Sequence, residues 1–367
     1  FQTMEQLLSA LPVRLGYLSG REKGRAREAV LDRLRSGDID ILVGTHAIFQ
    51  QGVAYHRLGL GVVDEQHRFG VAQRLMLTEK SARPPHLLAM TATPIPRTLA
   101  LASYGEMEVS RLDERPPGRQ PIDTRIVPLA RLEDIIAAVE RHLAAGRQAY
   151  WVCPMREAAG EEDMDMAAPA VLRADMLRQR FGDRVALVHG KLGGAARDAE
   201  MARFQRGDAG LLVATTVIEV GVDVPNATLM LIESAERFGL AQLHQLRGRV
   251  GRGSGRSTCL LLRGEGLSQT AARRLQMLRS TEDGFAIAEA DLELRGAGEL
   301  LGTRQSGEQG YALADDAQVG RLIGAADADA RLLIDRDGGL EQARGAAARN
   351  LLYLFEKDAA IGTLRGG

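Results

Sequence analysis

Residues 58–67 read Leu-Gly-Leu-Gly-Val-Val-Asp-Glu-Gln-His. An apolar run that ends in two carboxylates is typical of a buried parallel strand whose carboxyl end opens into a site. In open α/β sheets, ligands bind outside these strand ends. Asp64 can hold Mg²⁺ through water, and Glu65 can polarise an attacking water. This stretch therefore predicts an α/β fold with a chemical site at the sheet edge. The structural alternative is a strand-end turn with two solvated acids.

A second informative stretch, residues 242–253, reads Gln-Leu-His-Gln-Leu-Arg-Gly-Arg-Val-Gly-Arg-Gly. On a helix, Gln245, Arg249 and Arg252 would fall at i, i+4 and i+7 and would share one stripe. The glycines between them carry no side chains, so another surface can come close. Planar guanidinium groups match phosphate oxygens, so this stretch predicts a grip on a polyphosphate. The alternative is a solvated basic helix face.

Two further apolar runs end in polar residues. The run at 87–90 leads into Met-Thr-Ala-Thr-Pro-Ile-Pro-Arg-Thr (residues 90–98), in which two hydroxyls alternate before two prolines. Because proline stops a strand, this is a stiff polar connector that suits a relay between a phosphate site and a second surface. The run at 211–213 leads into Ala-Thr-Thr-Val-Ile-Glu-Val-Gly-Val-Asp-Val-Pro (residues 214–225). Taken alone, each of these segments favours a structural role.

In this order and spacing, the four segments resemble motifs II, III, V and VI of superfamily 2 helicases. Their amino-acid sequences are similar to those of the RecG family, the bacterial branch-migrating DNA helicases. The stretches that carry this closer resemblance are residues 64–74, 91–99, 236–253 and 291–307. The resemblance extends over residues 1–311 with few interruptions.

The resemblance implies ATP and Mg²⁺ as cofactors, with ATP hydrolysed between two lobes. In such an enzyme Asp64 positions Mg²⁺, Glu65 orients water, and the arginines close on the γ-phosphate. The implied catalytic residues are Asp64, Glu65, Gln66, His67, Arg249 and Arg252. The implied nucleotide-binding residues are Asp64, Gln245, Gly221, Asp223, Arg249 and Arg252.

The resemblance also implies branched double-stranded DNA, such as forks and Holliday junctions, as the partner. Single-strand-binding protein is a further candidate partner, and the expected state is a monomer. Hydroxyls and backbone amides at strand ends suit phosphates. The candidate DNA contacts are Thr45, His46, His189, Lys191, Thr215 and Thr216. The residues implied to couple nucleotide state to DNA movement are Thr91, Thr93, Arg295, Arg304 and Gln305.

The chain has 367 residues, more than one core usually supports, so at least two domains are expected. Alternating strand and helix patterns predict α/β lobes. The predicted strands are 13–18, 39–43, 60–63, 87–90, 149–153, 185–189, 211–214, 229–232 and 258–262. Helices are predicted at 25–35, 270–278 and 286–294, and residues 113–123, with three prolines, predict an inter-lobe hinge.

The fold class is therefore predicted as α/β, with two RecA-like parallel-sheet lobes followed by a helical hairpin and a helical tail. Residues 1–114 are assigned to a first lobe that is incomplete at its N-terminus, and residues 115–267 to the second lobe. Residues 268–311 are assigned to the hairpin and a translocation loop, and residues 312–367 to the C-terminal tail.

Composition narrows the function without identifying it. The 47 Lys and Arg nearly cancel the 48 Asp and Glu, so any nucleic-acid contact must be a local basic patch. Aromatic residues make up 4%, which argues against extensive base-stacking platforms. Cys153 and Cys259 have no metal-site spacing and predict buried, reduced thiols of a cytoplasmic protein. No apolar run approaches the ~18 residues of a membrane span.

A glycine loop that cradles phosphates, Gly-x-x-x-x-Gly-Lys-[Ser/Thr], does not occur in this sequence. Gly190-Lys191 is followed by leucine. We therefore expect the chain to be a C-terminal fragment of a helicase. It would lack the phosphate loop and the wedge domain, which recognises DNA structure and precedes the motor in the RecG family. We expect this fragment to hydrolyse ATP poorly by itself.

Three other functions compete with this interpretation. The translocase of a transcription-repair coupling factor shares the Thr-Ala-Thr-Pro-Ile-Pro-Arg-Thr stretch and the arginine motif. The Gln-His after Asp64-Glu65, residues 72–74 and residues 236–239 favour RecG over it. A non-hydrolysing DNA-binding module would explain the missing loop. The third alternative is an RNA helicase of the same superfamily, although the usual sequence of motif II in such enzymes is different.

Overall fold

The computed structural model describes residues 1–50, 52–65, 85–91, 109–112, 114, 118–155, 168–215, 224–253, 255–295 and 316–354. The chain divides into two compact units, Phe1–Ala92 and Thr93–Gly367. The predicted boundary after residue 114 differs from this division. Arg111, assigned to the first lobe, lies in the second unit with its guanidinium 5.0 Å from the ring centroid of Phe285. The domain bounds given above stay predictions.

The described residues of the first unit form two pairs of parallel strands, with helices between them. Strands β1 and β2 pair in parallel, as do β3 and β4. The four predicted strands and the helix predicted at 25–35 are confirmed, with ends that differ by one or two residues. In chain order the elements are α1 (Gln2–Leu8), β1 (Leu15–Leu18), α2 (Gly24–Ser36), β2 (Ile41–Gly44), a 3₁₀ helix (His46–Phe49), β3 (Leu60–Val63) and β4 (His86–Ala89).

Strand β3 was predicted as a buried parallel strand; it is parallel, but only one of its faces is buried. Val63 is buried against Phe49, whereas Leu60 and Val62 are 57% and 52% exposed. Successive side chains of a strand point to opposite faces, so a single covered face produces this alternation. Among the described residues of this unit, the small cluster around Phe49 and Val63 covers one face of β3 only.

The second unit is built on a sheet of six described strands, all parallel, in the order β5-β10-β9-β6-β8-β7. One core cluster contains Tyr150, Phe204 and Met230, and another contains Trp151, Leu211 and Leu231. Tyr150 and Trp151 are adjacent in sequence, as are Met230 and Leu231. The members of each pair fall into different clusters because successive side chains of a strand lie on opposite faces of the sheet. The strands are β5 (Ile122–Pro128), β6 (Gln148–Val152), β7 (Val185–Val188), β8 (Leu211–Ala214), β9 (Ala227–Ile232) and β10 (Ser257–Arg263).

Described helices connect four of the five pairs of successive strands, as parallel pairing requires. The helices are α3 (Leu132–Ala144), α4 (Ala168–Phe181), α5 (Gly194–Arg206) and α6 (Leu240–Arg247), with short 3₁₀ helices at Leu129–Arg131, Gly182–Arg184 and Ala235–Arg237. The hinge predicted at 113–123 ends too late, because Ile122 and Asp123 already belong to β5. Sequence patterns missed β5 because it is an edge strand with the exposed charges Asp123 and Arg125 at alternate positions.

After the sheet, the described residues are mostly helical, as expected. The predicted hairpin is confirmed as α7 (Gln269–Ser280) and α8 (Gly284–Arg295), and α9 (Asp316–Arg336) and α10 (Ala343–Leu354) form the tail. Helix α7 begins with a side-chain cap, since Ser268 Oγ accepts a hydrogen bond from the Ala271 amide at 3.2 Å. Leu275, Leu278 and Ile287 pack into the core cluster of Tyr150 and Met230. No helix in the described part of the chain has the length and apolar character to cross a bilayer.

Candidate nucleotide and nucleic-acid sites

The acidic pair lies where β3 ends. Glu65 has φ 53°, the left-handed region, and its backbone N–H donates to Asp64 Oδ1 at 2.9 Å. A non-glycine residue held in this conformation costs about 1–3 kcal/mol, a strain that clusters at functional sites. On the neighbouring parallel strand, the Met90 amide donates to the Val63 carbonyl at 2.7 Å. Thr91 therefore follows at the same sheet edge as the two acids. Gln66, His67 and Thr93 lie outside the described residues.

Strands β1 and β2 place a second polar group at their carboxyl ends. The Thr45 amide donates to the Leu18 carbonyl at 3.2 Å, and the side chains of Thr45 and His46 are exposed. Beside them, Ser19 Oγ donates to Glu22 Oε2 at 2.7 Å, and so does the Ser19 backbone N–H. The hydroxyl bond and then the amide bond hold the pKa of Glu22 below its usual value. Neither residue is among the predicted site residues, although their Ser-x-x-Glu spacing signals the pair.

In the second unit the DNA-contact candidates follow β7 and β8. The Thr215 amide donates to the Val188 carbonyl at 3.3 Å, so Thr215 and His189 end neighbouring strands. Thr215 is 1% exposed, and among the described residues neither its Oγ1 nor His189 Nδ1 has a hydrogen-bond partner. Lys191 is exposed. Thr216, Gly221 and Asp223 lie outside the described residues.

The arginines predicted to share a helical stripe lie beyond the helix. Helix α6 ends at Arg247, and Gly251 has φ +77°, so Arg249 and Arg252 stand on the loop Gly248–Arg252, here called the arginine loop. The stripe prediction is wrong: after α6 the Arg249 and Val250 amides donate to carbonyls three residues back, and Gly251 then takes a left-handed conformation that glycine readily adopts, so helical periodicity does not reach Arg252. Gln245 does lie on α6 and is half-buried, as is Arg249. Arg252 is exposed, with Nε 3.4 Å from the Gly248 carbonyl.

Two arginines that the sequence analysis did not select flank the arginine loop. Arg247 is 2% exposed, and its Nη1 donates to the carbonyls of Leu278 and Thr281 at 2.6 and 2.9 Å. Its Nη2 lies 3.1 Å from His244 Nδ1. Burial, and then the charge of Arg247, lower the pKa of His244 to about 4, so the imidazole is neutral at pH 7 and can accept this bond. On the other side, Arg119 Nε donates to the Gly251 carbonyl at 3.0 Å.

An ion pair whose two side chains are each 14% exposed stands where β9 ends. Glu233 accepts two hydrogen bonds from Arg173, at 2.6 and 2.8 Å, and one from Trp151 Nε1 at 2.9 Å. Burial and the nearby Glu233 carboxylate raise the pKa of Cys153 well above its usual value. Burial also raises the pKa of Cys259, to about 12. The expectation of buried, unbridged thiols is confirmed.

The implied coupling residues at the end of the hairpin are only partly placed. Helix α8 ends at Arg295, whose side chain lies outside the described part of the structure, as do Arg304 and Gln305. No group of three or more His, Cys, Asp and Glu side chains in the described residues is arranged to hold a metal. A water-mediated Mg²⁺ on a single carboxylate does not need such a group, because Mg²⁺ keeps several waters and is often bound by one or two carboxylates.

Comparison with known families assigns helicase domains to both units. The DEAD/DEAH box helicase family matches residues 1–102, and the family described as helicase conserved C-terminal domain matches residues 129–254. A third family, ATP-dependent DNA helicase RecG, domain 3, C-terminal, matches residues 281–357. The acidic pair lies in the first match and the arginine loop in the second.

Relatives named ATP-dependent DNA helicase RecG cover most of this chain. The Acidithiobacillus ferridurans protein is 49% identical over 92% of this chain and 49% of its own length. The Escherichia coli K12 protein is 52% identical over 83% and 44%, and the Bacillus subtilis protein 44% identical over 95% and 51%. The chain thus spans about half the length of the curated relatives it matches.

Solved structures agree with these relatives. A structure of RecG bound to a three-way DNA junction matches with a TM-score of 0.68 and 37% identity, over 89% of this chain and 41% of that one. Yeast Dbp5 bound to RNA and ADP BeF3 matches with a TM-score of 0.54 at 12% identity, over 82% of this chain and 77% of that one, which shows the fold alone.

The fold and the matched families define the class: two RecA-like helicase domains followed by helices. Within that class the chain is homologous to the RecG ATP-dependent DNA helicases over most of its length.

Proposed function

We propose that this chain is the motor part of an ATP-dependent DNA helicase that remodels branched DNA, such as stalled forks and Holliday junctions, in recombination and repair. The observation that carries the proposal is the placement of complementary groups in two matched helicase domains. The acidic pair ends a parallel strand in one domain, and the arginine loop follows helix α6 in the other.

The acidic pair supplies the hydrolytic half of the proposed site. Asp64 is exposed at the strand end, and carboxylate and water are the ligands that Mg²⁺ prefers. Bound Mg²⁺ would neutralise charge on the phosphate oxygens. Glu65, half-buried beside it, orients the water for attack on the γ-phosphorus. Gln66 and His67 then sense the nucleotide and pass its state to Thr91 and Thr93.

The arginine loop supplies the second half. Arg249 and Arg252 carry positive charge to the γ-phosphate, where charge develops in the transition state. Arginine fingers of this kind contribute about 10³ to 10⁵ in rate. Gln245, Gly221 and Asp223 complete the nucleotide contacts of this proposal.

DNA contacts are proposed at the strand ends of both domains: Thr45, His46, His189, Lys191, Thr215 and Thr216. Hydroxyl groups and amides bind the DNA backbone without recognising its base sequence, which suits an enzyme that moves along DNA. Binding is expected to weaken steeply with salt, since each neutralised phosphate releases counterions. Arg295, Arg304 and Gln305 are proposed to link nucleotide state to movement of the duplex.

The test is ATP hydrolysis by the full-length protein with and without a synthetic three-way junction. Wild type should be stimulated by DNA, and Glu65→Gln and Arg252→Ala should each lower kcat by about 10³ or more while DNA binding stays close to normal. Arg178→Ala, an exposed arginine on α4 paired with Asp175, is the matched control. An Arg252→Ala enzyme with half the wild-type rate would overturn the assignment. The same assay on residues 1–367 tests the prediction that they hydrolyse ATP poorly by themselves.

The substrate and partner assignments need separate measurements. Stimulation by three-way junctions above linear duplex and above RNA is expected for a branched-DNA helicase, and preference for RNA would favour the RNA-helicase alternative. Release of a stalled RNA polymerase would favour a transcription-repair coupling translocase. We also propose a cytoplasmic monomer that contacts single-strand-binding protein, to be tested by light scattering and by titration with that protein.

A further inference from the structure

The arginine loop is anchored at its helical end by a buried cation. Arg247 is 2% exposed, and its Nη1 spans the carbonyls of Leu278 and Thr281 at the end of helix α7. A buried guanidinium loses its hydration, so these carbonyls replace water as its partners. The end of α6, and with it Gly248, is therefore fixed relative to α7. His244, neutral because burial lowers its pKa, is a further partner of this guanidinium.

The other end of the arginine loop is anchored from the segment that precedes β5. Arg119 Nε donates to the Gly251 carbonyl at 3.0 Å, while the Ile122 amide donates to Glu282 Oε1 at 2.7 Å. Earlier in the same segment, the guanidinium of Arg111 lies over the ring of Phe285. Two contacts thus flank Arg119 in sequence: Arg111 lies over Phe285 at the start of α8, and Ile122, the first residue of β5, bonds Glu282 on the turn between α7 and α8.

The backbone of the loop leaves little room for adjustment. Gly251 has φ +77°, and a Cβ at this position would lie 3.0 Å from Ile122 Cγ1. Glycine avoids both the strain and the contact. The carbonyl of Gly251 is therefore presented to Arg119 by a glycine that the loop requires, directly before Arg252.

We propose that Arg119 and Arg247 are positioning residues for ATP hydrolysis. They hold the two ends of the arginine loop so that Arg249 and Arg252 reach the γ-phosphate in the correct position. The inference rests on the proposed function of those two arginines. Arg119 acts on the loop backbone through the Gly251 carbonyl, and Arg247 acts on the helix end where the loop begins, through the carbonyls of Leu278 and Thr281.

A loosened arginine loop should impair the chemical step more than nucleotide binding. Misplacement of a catalytic group by about 1 Å can cost about 10²-fold in rate. Loss of one anchor should therefore lower kcat by about 10-fold to 100-fold. The ATP dissociation constant should change far less than kcat, because the arginine contacts contribute most where charge develops in the transition state. A residue that only stabilises the fold would lower the melting temperature and leave kcat per folded molecule unchanged.

The experiment measures kcat, the ATP dissociation constant and the melting temperature of the full-length protein, with a three-way junction present. The variants are Arg119→Ala, Arg119→Lys and Arg247→Lys, and the matched control is Arg125→Ala. Arg125 lies on β5 close in sequence to Arg119, is exposed, and pairs with Asp123 instead of the loop. Arg119 is also exposed, so Arg119→Ala should fold and keep the test decisive if Arg247→Lys does not.

The proposal predicts a low kcat for Arg119→Ala with unchanged ATP affinity and melting temperature, partial recovery in Arg119→Lys, and wild-type behaviour in Arg125→Ala. Arg119→Ala with kcat within twofold of wild type, in an enzyme that Arg252→Ala inactivates, overturns it. If the wild-type protein shows no DNA-stimulated hydrolysis, or if Arg252→Ala retains activity, the proposed function itself fails, which is a separate result.

Discussion

Two segments of the chain, residues 15–45 and residues 185–215, share one architecture, and are here called the first and second repeats. Strand, helix and strand begin at residues 15, 24 and 41 in the first and at 185, 194 and 211 in the second. Each helix ends at a left-handed glycine, Gly37 with φ 84° and Gly207 with φ 83°, and each second strand is followed by a threonine. The repeats differ in what surrounds them.

The second repeat is embedded in a large core and the first is not. Every residue of β7 and β8 is buried in the sheet of six described strands, whereas the described strands β1 and β2 pair with each other and consist mostly of half-buried residues. The same contrast appears at Arg14 and Arg184, which each precede the first strand. Arg14 pairs with Asp40 inside its own repeat, while Arg184 donates to the Leu143 carbonyl on α3. Local turns are thus set by local residues, and stability by the surrounding packing.

Core truncation should give the largest difference between the repeats. Phe204 and Leu34 occupy corresponding positions near the helix ends, and Phe204 is fully buried with its ring centroid 5.0 Å from that of Tyr150. Phe204→Ala is expected to cost about 3–5 kcal/mol. Leu34→Ala should cost about 2 kcal/mol, because its five-residue buried cluster can relax around the space.

Urea unfolding separates these two effects. The sequence has one tryptophan, Trp151, which lies in the second unit. Its fluorescence transition should shift to lower urea in Phe204→Ala and stay in place in Leu34→Ala. Amide hydrogen exchange in β2 should become faster in Leu34→Ala and stay unchanged in Phe204→Ala. Equal shifts of the Trp151 transition in both variants would contradict the contrast between the repeats.

The helix-end glycines should give the next largest effect. A left-handed conformation costs a residue with a Cβ about 1–2 kcal/mol, so both Gly37→Ala and Gly207→Ala should destabilise their units. At Gly207 the new Cβ meets open space, but at Gly37 it lies 3.1 Å from His56 Cδ2. Gly37→Ala should therefore cost more than Gly207→Ala in free energy of unfolding. Adding His56→Ala to Gly37→Ala should remove the excess; if the excess persists, the ring is not its cause.

Sequence patterns predicted the elements whose signals are local. The strands at 60–63 and 211–214 were predicted to the residue, because each is a short apolar run that ends at polar residues. The edge strand β5 was missed, since its alternating charges read as a polar linker. The predicted helical stripe through Arg249 and Arg252 failed because periodicity alone does not register the tight turn after α6 or the left-handed Gly251 that follows it.

The candidate sites show the same limit. The strand-end positions of Asp64, Glu65, Thr45 and Thr215 could be predicted, because each follows an apolar run. The role of Arg247 could not, because its partners are main-chain carbonyls of a helix about 30 residues further along the chain, which carry no side-chain signal. Its burial depends on the packing of α7 against α6, which a single sequence does not encode locally.

Thr45 and Thr215 offer a functional comparison of the repeats. Thr45 is exposed, whereas Thr215 is 1% exposed with no partner for its hydroxyl among the described residues. If both hydroxyls bond DNA phosphates, each Thr→Val change should weaken DNA binding about threefold to tenfold, the cost of one hydrogen bond. Thr215→Val should not lower stability. Fluorescence anisotropy with a three-way junction measures the affinity, and Thr258→Val, on β10, is the control. Loss in Thr45→Val alone would make Thr215 a structural residue.

The smallest expected effect concerns the acid pairing that only the first repeat has. Hydrogen bonds from Arg14 lower the pKa of Asp40 from 3.8 to about 2. A carboxyl whose pKa is lower in the folded state adds stability above its unfolded pKa, and this contribution is lost as pH falls through the folded value. Asp40→Asn should therefore lower the melting temperature of the first unit slightly at pH 5, and the difference from wild type should vanish between about pH 4 and pH 2.

The effect should be small because Arg14 and Asp40 are exposed and salt screens them. Asp38→Asn is the matched control, since Asp38 touches Arg14 at a single 3.3 Å contact. Asp40 lies in the first unit and Trp151 in the second, so the Trp151 transition should not change over this pH range in Asp40→Asn. In the second repeat, Gly210 stands at the position that corresponds to Asp40. A difference from wild type that stays constant from pH 5 to pH 2 would show that Asp40 acts through packing and not through its charge.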